Sequence, residues 1–235
     1  MTSTKKLPVI DYDAAGQTTL FHGLERDEIE MVCQEGAVRK ILKGEFFFIQ
    51  GDPAEYLFLL IQGRVKLTQS DPDGQQVLMR AIGPYSFFAA VALSQHGIYP
   101  VTAEAMEDCA AIAWSKTSLA RFTSQYPVLS ANAIQLFADS VKEFQERFRQ
   151  MATERVERRL ARTLLRLAGQ TGKKTPEGVL IDLPLTRQDL AEMTGTTIFT
   201  VSRLLTAWEN QGLIIADREH IVLRAPHSLV EIADQ

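Results

Sequence analysis

The chain has 235 residues, 46% of them apolar and 8% aromatic, an ordinary globular composition with room for one large or two modest domains. Its two cysteines, Cys33 and Cys109, are far apart and lack C-x-x-C spacing, so a disulfide framework, a structural zinc site and a four-cysteine iron–sulfur cluster all lack ligands. The formal net charge of −4 is uneven: residues 147–225 carry 13 Lys and Arg against 9 Asp and Glu, the remainder 12 against 20. A polyanion would therefore meet its basic surface in the C-terminal third. Lys5 and Lys6 are followed by no apolar run, and no stretch nears the roughly 18 apolar residues of a membrane span. The expectation is a reducing, cytoplasmic location with no membrane partner.

In chain order, Leu20-Phe21 and then Leu24 to Val32 carry helix-like spacing and read as a short helical lead-in. From about Arg39 to Ser115 short apolar runs alternate with glycines and with the turn clusters Gly51-Asp52-Pro53 and Asp71-Pro72-Asp73-Gly74. Turn signals about every ten residues, around runs such as Phe46 to Ile49, Tyr56 to Ile61 and Val65 to Leu67, predict a compact all-β roll without helix.

After Pro127 the period changes. Ile134, Phe137, Val141, Phe144, Phe148 and Met151 follow alternating spacings of three and four, the seam of two helices packed on each other. Five such steps exceed what one helix needs on its own sheet, so a helix from about Leu129 to Ala152 is expected to pair two copies of the chain. A hinge near Met151 to Arg155 leads to a second helix, about Glu154 to Ala168, ended by a loop from Gly169 to Gly178.

Residues 187–206 fit two helices crossing at a tight turn. Ala191 is small at the crossing, Gly195 occupies the turn, and Thr186 with Asp189 forms a capping box. Leu190, Ile198, Val201 and Leu204 are expected to hold the second helix, about Thr197 to Asn210, on the first. Leu213 to Leu223, broken at Asp217-Arg218-Glu219, reads as a two-stranded wing. The outward residues of the second helix are then Phe199, Thr200, Ser202 and Arg203. Arg203 can bond guanine O6 and N7 bidentately, Ser202 suits either base type, and Arg187, Thr196 and Thr197 are placed for phosphates.

With these motifs the chain resembles the Crp/Fnr family of transcription regulators from about residue 20 to 225. The resemblance is carried by Lys43-Gly44-Glu45 to Gly51-Asp52-Pro53-Ala54, by Gly63 to Leu67, by Asp73-Gly74, and by Leu185 to Ala191 with Thr200 to Leu205. It implies an α+β architecture: a double-stranded β-helix (jelly-roll) sensor domain over 1–125, a dimerisation helix over 126–153 and a winged helix-turn-helix over 154–235. It also implies a homodimer on double-stranded DNA with a palindromic operator, a small-molecule effector, and RNA polymerase as a further partner.

In nucleotide-binding members of that family a Gly-Glu-Leu-Ala turn and an Arg-Ser/Thr-Ala stretch hold the ribose and the cyclic phosphate. The equivalent stretch here is Phe88-Ala89-Ala90-Val91-Ala92-Leu93, then Val101-Thr102-Ala103, which leaves Ala90 and Val101 at the charged positions, with Phe144 where a threonine would meet the base. Carboxylate and guanidinium are both absent, which disfavours cyclic AMP. The glutamate that commonly reads cytosine is replaced by Phe199, which can touch a thymine methyl instead. Haem is an alternative occupant of the apolar pocket, with His22 or His96 as axial ligand. A nucleotide-binding regulatory protein without DNA binding is a further alternative, opposed by the wing and Arg203. An enzyme is the least supported reading, since no paired carboxylates, phosphate loop or Cys–His pair stands out.

Overall fold

The computed structural model describes residues 9–70, 76–94, 96–217 and 220–234, with the side chains of Gln76, Arg147 and Met151 left out. The turn signals at 71–74 and 218–219 and the Met151 side chain lie outside the described residues. The chain divides into two compact units, Met1–Ser70 with Ile82–Lys142 and Asp71–Ala81 with Glu143–Gln235.

The first unit begins with two helices. The Asp11 side chain accepts the amides of Asp13 and Ala14 at 3.0 Å and so opens α1 (Tyr12–Gly16). At α2 (Arg26–Gln34), Glu28 reaches back to the Glu25 amide at 2.9 Å, and the helix buries Ile29, Val32 and Cys33. The expected lead-in helix is thus present, but Leu20 and Phe21 lie in the turn before it, and α1 is an unexpected predecessor. Eight strands follow along the chain: β1 (Ala37–Ile41), β2 (Phe46–Phe48), β3 (Tyr56–Gln62), β4 (Val65–Ser70), β5 (Gln76–Ile82), β6 (Ser86–Phe88), β7 (Thr102–Ala105) and β8 (Cys109–Ser115), of which β5 up to Ala81 falls in the second unit. One sheet has the order β1-β8-β3-β6, and β2, β7 and β4 run antiparallel in another. The reading of this stretch as free of helix misses a single 3-10 turn at Ala90–Leu93.

Leu57 to Ile61 are all buried, because β3 is central in its sheet and is covered on both faces. Phe21 meets Phe87 and Trp114 edge to face, and the Trp114 indole donates to the Val32 carbonyl at 2.7 Å, tying α2 to β8. Next come α3 (Lys116–Gln125), capped by Ser115, and α4 (Pro127–Thr153), which starts on a proline whose missing amide proton costs nothing there. Leu129 and Ala133 of α4 are buried in the same core, with Leu136 packed against it.

The second unit holds α5 (Val156–Thr171), β9 (Gly172–Thr175), β10 (Gly178–Ile181), α6 (Arg187–Thr194), α7 (Ile198–Asn210), β11 (Ile214–Ala216), β12 (Ile221–Leu223) and α8 (Pro226–Asp234). Leu160, Leu164 and Leu167 of α5, Trp208 of α7 and Leu229 of α8 are fully buried and form its core. The expected helix is present, shifted to Val156–Thr171; the loop expected over Gly169 to Gly178 is instead helix as far as Thr171 and then a hairpin, with Val179 opposite Lys174 and Leu180 opposite Lys173. The lysines hide the strand pattern, because β9 is an edge strand whose side chains stay in water. The two-stranded wing is also larger than expected: β11 and β12 join this hairpin in one sheet ordered β11-β12-β10-β9. Gly178, at φ +142°, lies so close to the Leu223 carbonyl that a side chain would collide with it.

Candidate functional site

The helix-turn-helix is built by local signals that act independently. Thr186 Oγ1 accepts the Asp189 amide at 3.1 Å while Asp189 Oδ2 accepts the Thr186 amide at 2.8 Å, a reciprocal cap that starts α6. Gly195, at φ +60°, ends it. Thr197 then caps α7, its hydroxyl accepting the Thr200 amide at 3.3 Å. The two helices pack on each other, and Leu190 and Ala191 of α6 and Val201, Leu205 and Trp208 of α7 are buried. Two residues expected at this contact are less covered: Ile198 is 39% exposed and Leu204 is only half-buried. Successive steps of three drift off a 3.6-residue face, and Leu205 and Trp208 restore it.

On the outer side of α7, Phe199 is 83% exposed, Arg203 is exposed, and Thr200 and Ser202 are half-buried. Thr197 is exposed, with Thr196 and Arg187 half-buried at the same end of the two helices. Two acids near Arg203 in sequence or on the facing helix are engaged elsewhere: Asp189 in the cap, and Glu209 in accepting the Ala216 amide at 3.0 Å. Among the described residues Arg203 has no ion pair, so its guanidinium is available to a ligand.

Along α4, Ile134, Phe137, Val141, Phe144 and Phe148 are 71, 40, 54, 66 and 66% exposed in the single chain. At about 100° per residue they fall within an arc of roughly 80°. Leu129, Ala133 and Leu136 lie on a separate arc. At the end of this helix Glu146 accepts from Arg149 at 2.6 and 3.0 Å and from Gln150 at 2.9 Å, which holds its carboxyl down to about 2.

The residues expected to line an effector pocket are mostly occupied in packing. Phe88 is buried against Phe58 and Phe47, at centroid distances of 5.1 and 5.2 Å, and Phe48 stacks on Tyr99 at 3.8 Å. Ala103 is fully buried, and the Thr102 hydroxyl, also buried, accepts the Gln50 amide at 3.0 Å. Ala89, Ala90, Val91 and Val101 are half-buried, with Ala89 held at φ +66°. Phe144 falls in the second unit. His22 and His96 are both exposed, and the His22 carbonyl accepts from Asn132 at 2.7 Å.

Residues 38–126 match the family model of the cyclic nucleotide-binding domain, and residues 158–232 that of the Crp-like helix-turn-helix domain. The chain is 27% identical over 214 residues to the cyclic AMP receptor protein of Thermus thermophilus, across 91% of this chain and 96% of that one. It is 22% identical over 214 residues to the CRP-like cAMP-activated global transcriptional regulator of Mycobacterium tuberculosis, across 88% and 96% of the two. The solved structure of the c-di-GMP-responsive global regulator CLP of Xanthomonas campestris superposes with a TM-score of 0.71 at 21% identity, covering 85% of this chain and 99% of that one. A nucleotide-binding-type β-roll followed in one chain by a winged helix-turn-helix defines the class of effector-responsive, DNA-binding transcription regulators. Within that class, the chain belongs to the Crp/Fnr family.

Proposed function

We propose that the protein acts in the cytoplasm as a homodimer that reads a palindromic operator through Phe199, Thr200, Ser202 and Arg203, with Arg187, Thr196 and Thr197 on phosphates, and that its effector is apolar and not cyclic AMP. The observation that carries the DNA reading is the exposed start of α7, where an arginine with no ion pair among the described residues stands one helical turn from an exposed phenylalanine. Two recognition helices related by a two-fold axis would enter successive major grooves, about 34 Å apart. The exposed apolar arc of α4 supplies the axis. RNA polymerase is the further partner expected of a regulator of this class.

The effector reading rests on charge. A cyclic phosphate enclosed without a cation costs several kcal/mol of desolvation, and Val101 and Ala90 offer none. The Thr102 hydroxyl already accepts a backbone amide, and the apolar surface around Phe88 suits an uncharged molecule. The relatives are named for cyclic AMP and the solved structure for c-di-GMP, so the family by itself does not fix the effector.

Two measurements on the purified protein test this. Sequencing DNA selected from a random pool should yield an inverted repeat with half-site centres one helical turn apart; selection of no common sequence would refute DNA reading. Calorimetry with cyclic AMP and cyclic GMP should show no micromolar binding. Micromolar binding that also tightens operator affinity would overturn the effector assignment and leave the DNA reading standing.

A further inference from the structure

We propose that Arg159 is a positioning residue for DNA recognition: its single guanidinium ties the residue that follows the long helix to the turn of the helix-turn-helix, and so fixes where α7 begins. The proposal rests on the DNA-reading function above and names a residue of α5 that the reading does not include.

The backbone at the end of α6 shows why such a group is needed. The Gly195 amide donates to the Glu192 carbonyl at 3.2 Å and the Thr196 amide to the Ala191 carbonyl at 2.9 Å, a paired arrangement that closes the helix and satisfies those two acceptors. The carbonyls of Thr194 and Gly195 project beyond it. Thr194 is fully buried, with its hydroxyl spent on the Leu190 carbonyl at 2.6 Å, so water cannot readily serve its backbone. Arg159 fills this role: Nε donates to the Thr194 carbonyl at 2.8 Å and Nη2 to the Gly195 carbonyl at 3.4 Å. A cation at this end also suits the negative pole of α6.

The same guanidinium reaches the hinge. Nη1 donates to the Glu154 carbonyl at 2.5 Å. Glu154 is held from both sides, its carboxylate 3% exposed and 3.3 Å from Arg149 of α4 and from Arg162 of α5. Three carbonyls from two parts of the chain therefore converge on one rigid, planar fork, a geometry that an ammonium at the end of a flexible stem cannot reproduce. Gly195 is two residues from the Thr197 cap, so a shift of this turn carries the start of α7 with it. A tilt of about 10° about the Thr197 cap displaces the backbone at Arg203, six residues or roughly 9 Å along α7, by about 1.6 Å. That exceeds the tolerance of a bidentate contact to a base.

The test uses the full chain and the operator selected with the wild type. Arg159→Met removes the fork and keeps an apolar stem; Arg159→Lys keeps the charge and should fold even if the first variant does not. Operator and random-duplex affinities are measured over a range of salt, together with thermal melting. Both variants should lose about tenfold or more in preference for operator over random DNA, while random-DNA affinity and its salt slope stay unchanged within error. Full preference retained by Arg159→Lys would overturn the proposal, since charge alone would then suffice. A salt slope reduced by about one would make Arg159 a phosphate contact, and lowered melting with intact preference would make it merely structural; either result overturns the proposal too. Failure of the functional reading would appear separately, as a wild type with no preferred sequence.

Discussion

Replacing Val141 by Glu should dissolve the proposed dimer. Val141 lies near the middle of the exposed arc of α4 and is 54% exposed in the single chain, so about half of its burial value of roughly 1.5–3 kcal/mol is lost per copy, about 2 kcal/mol for the pair. Close to a two-fold axis each new carboxylate faces its own symmetry mate. Two like charges about 4 Å apart in surroundings of effective dielectric near 20 repel by about 4 kcal/mol. The total of about 6 kcal/mol corresponds to a roughly 10⁴-fold rise in the dimer dissociation constant. Lys142→Glu is the control, placing the same side chain about 100° round the helix on an exposed face. Sedimentation over a concentration series should find Val141→Glu monomeric and Lys142→Glu dimeric, both with the wild-type circular dichroism spectrum. A shift of less than tenfold for Val141→Glu would show that the arc does not face a second copy.

Arg203→Ala should cost about 1–3 kcal/mol of operator affinity and relax the preference at one base position, read by repeating the selection with the variant. Arg187→Ala should instead weaken all sequences alike and lower the salt slope by about one. Burial pushes the Cys33 thiol up to about 12. Because the folded-state value is raised, the associated stability is complete below the usual thiol value near 9 and is lost as pH rises from there toward 12. The melting temperature of the wild type should therefore fall more steeply than that of Cys33→Ala across that window, and iodoacetamide at pH 8 should label Cys33 only after denaturation.

Features written into short stretches of chain are legible from the sequence alone. The Thr186–Asp189 cap, the positive-φ Gly195 and the small Ala191 each answer to a local steric or hydrogen-bonding need, so the helix-turn-helix can be placed almost to the residue. The arc on α4 is legible for the same reason, since its period is a property of one helix. Contacts fixed by partners distant in sequence are not legible. Lys173 and Lys174 look like loop residues until β10 is set beside them, and Ile198 looks as apolar as Leu205 until the crossing angle decides which of them is covered. The packing of Phe88 is hidden in the same way: taken alone it reads as an apolar lining residue, whereas Phe47 and Phe58 arrive from other strands to pack on it. Arg159 carries no signal, because an arginine in the first turn of an amphipathic helix is indistinguishable from a solvated one until the carbonyls it serves are in place.

The two apolar arcs of α4 give the helix a property that neither has alone. Leu129, Ala133 and Leu136 face the β-roll core, while Ile134, Phe137 and Val141 lie about a quarter-turn away. Both sets ride on one rigid cylinder, so rolling it about its own axis moves them together: with side-chain tips about 5–6 Å from the axis, a roll of about 20° sweeps each by about 2 Å. That is the width of a methyl group, enough to unseat a knob from its hole. The helix thus behaves as a gear shaft, on which a repacking of the sensor core that shifts Leu136 must also change the angle at which Phe137 and Val141 are offered to another surface.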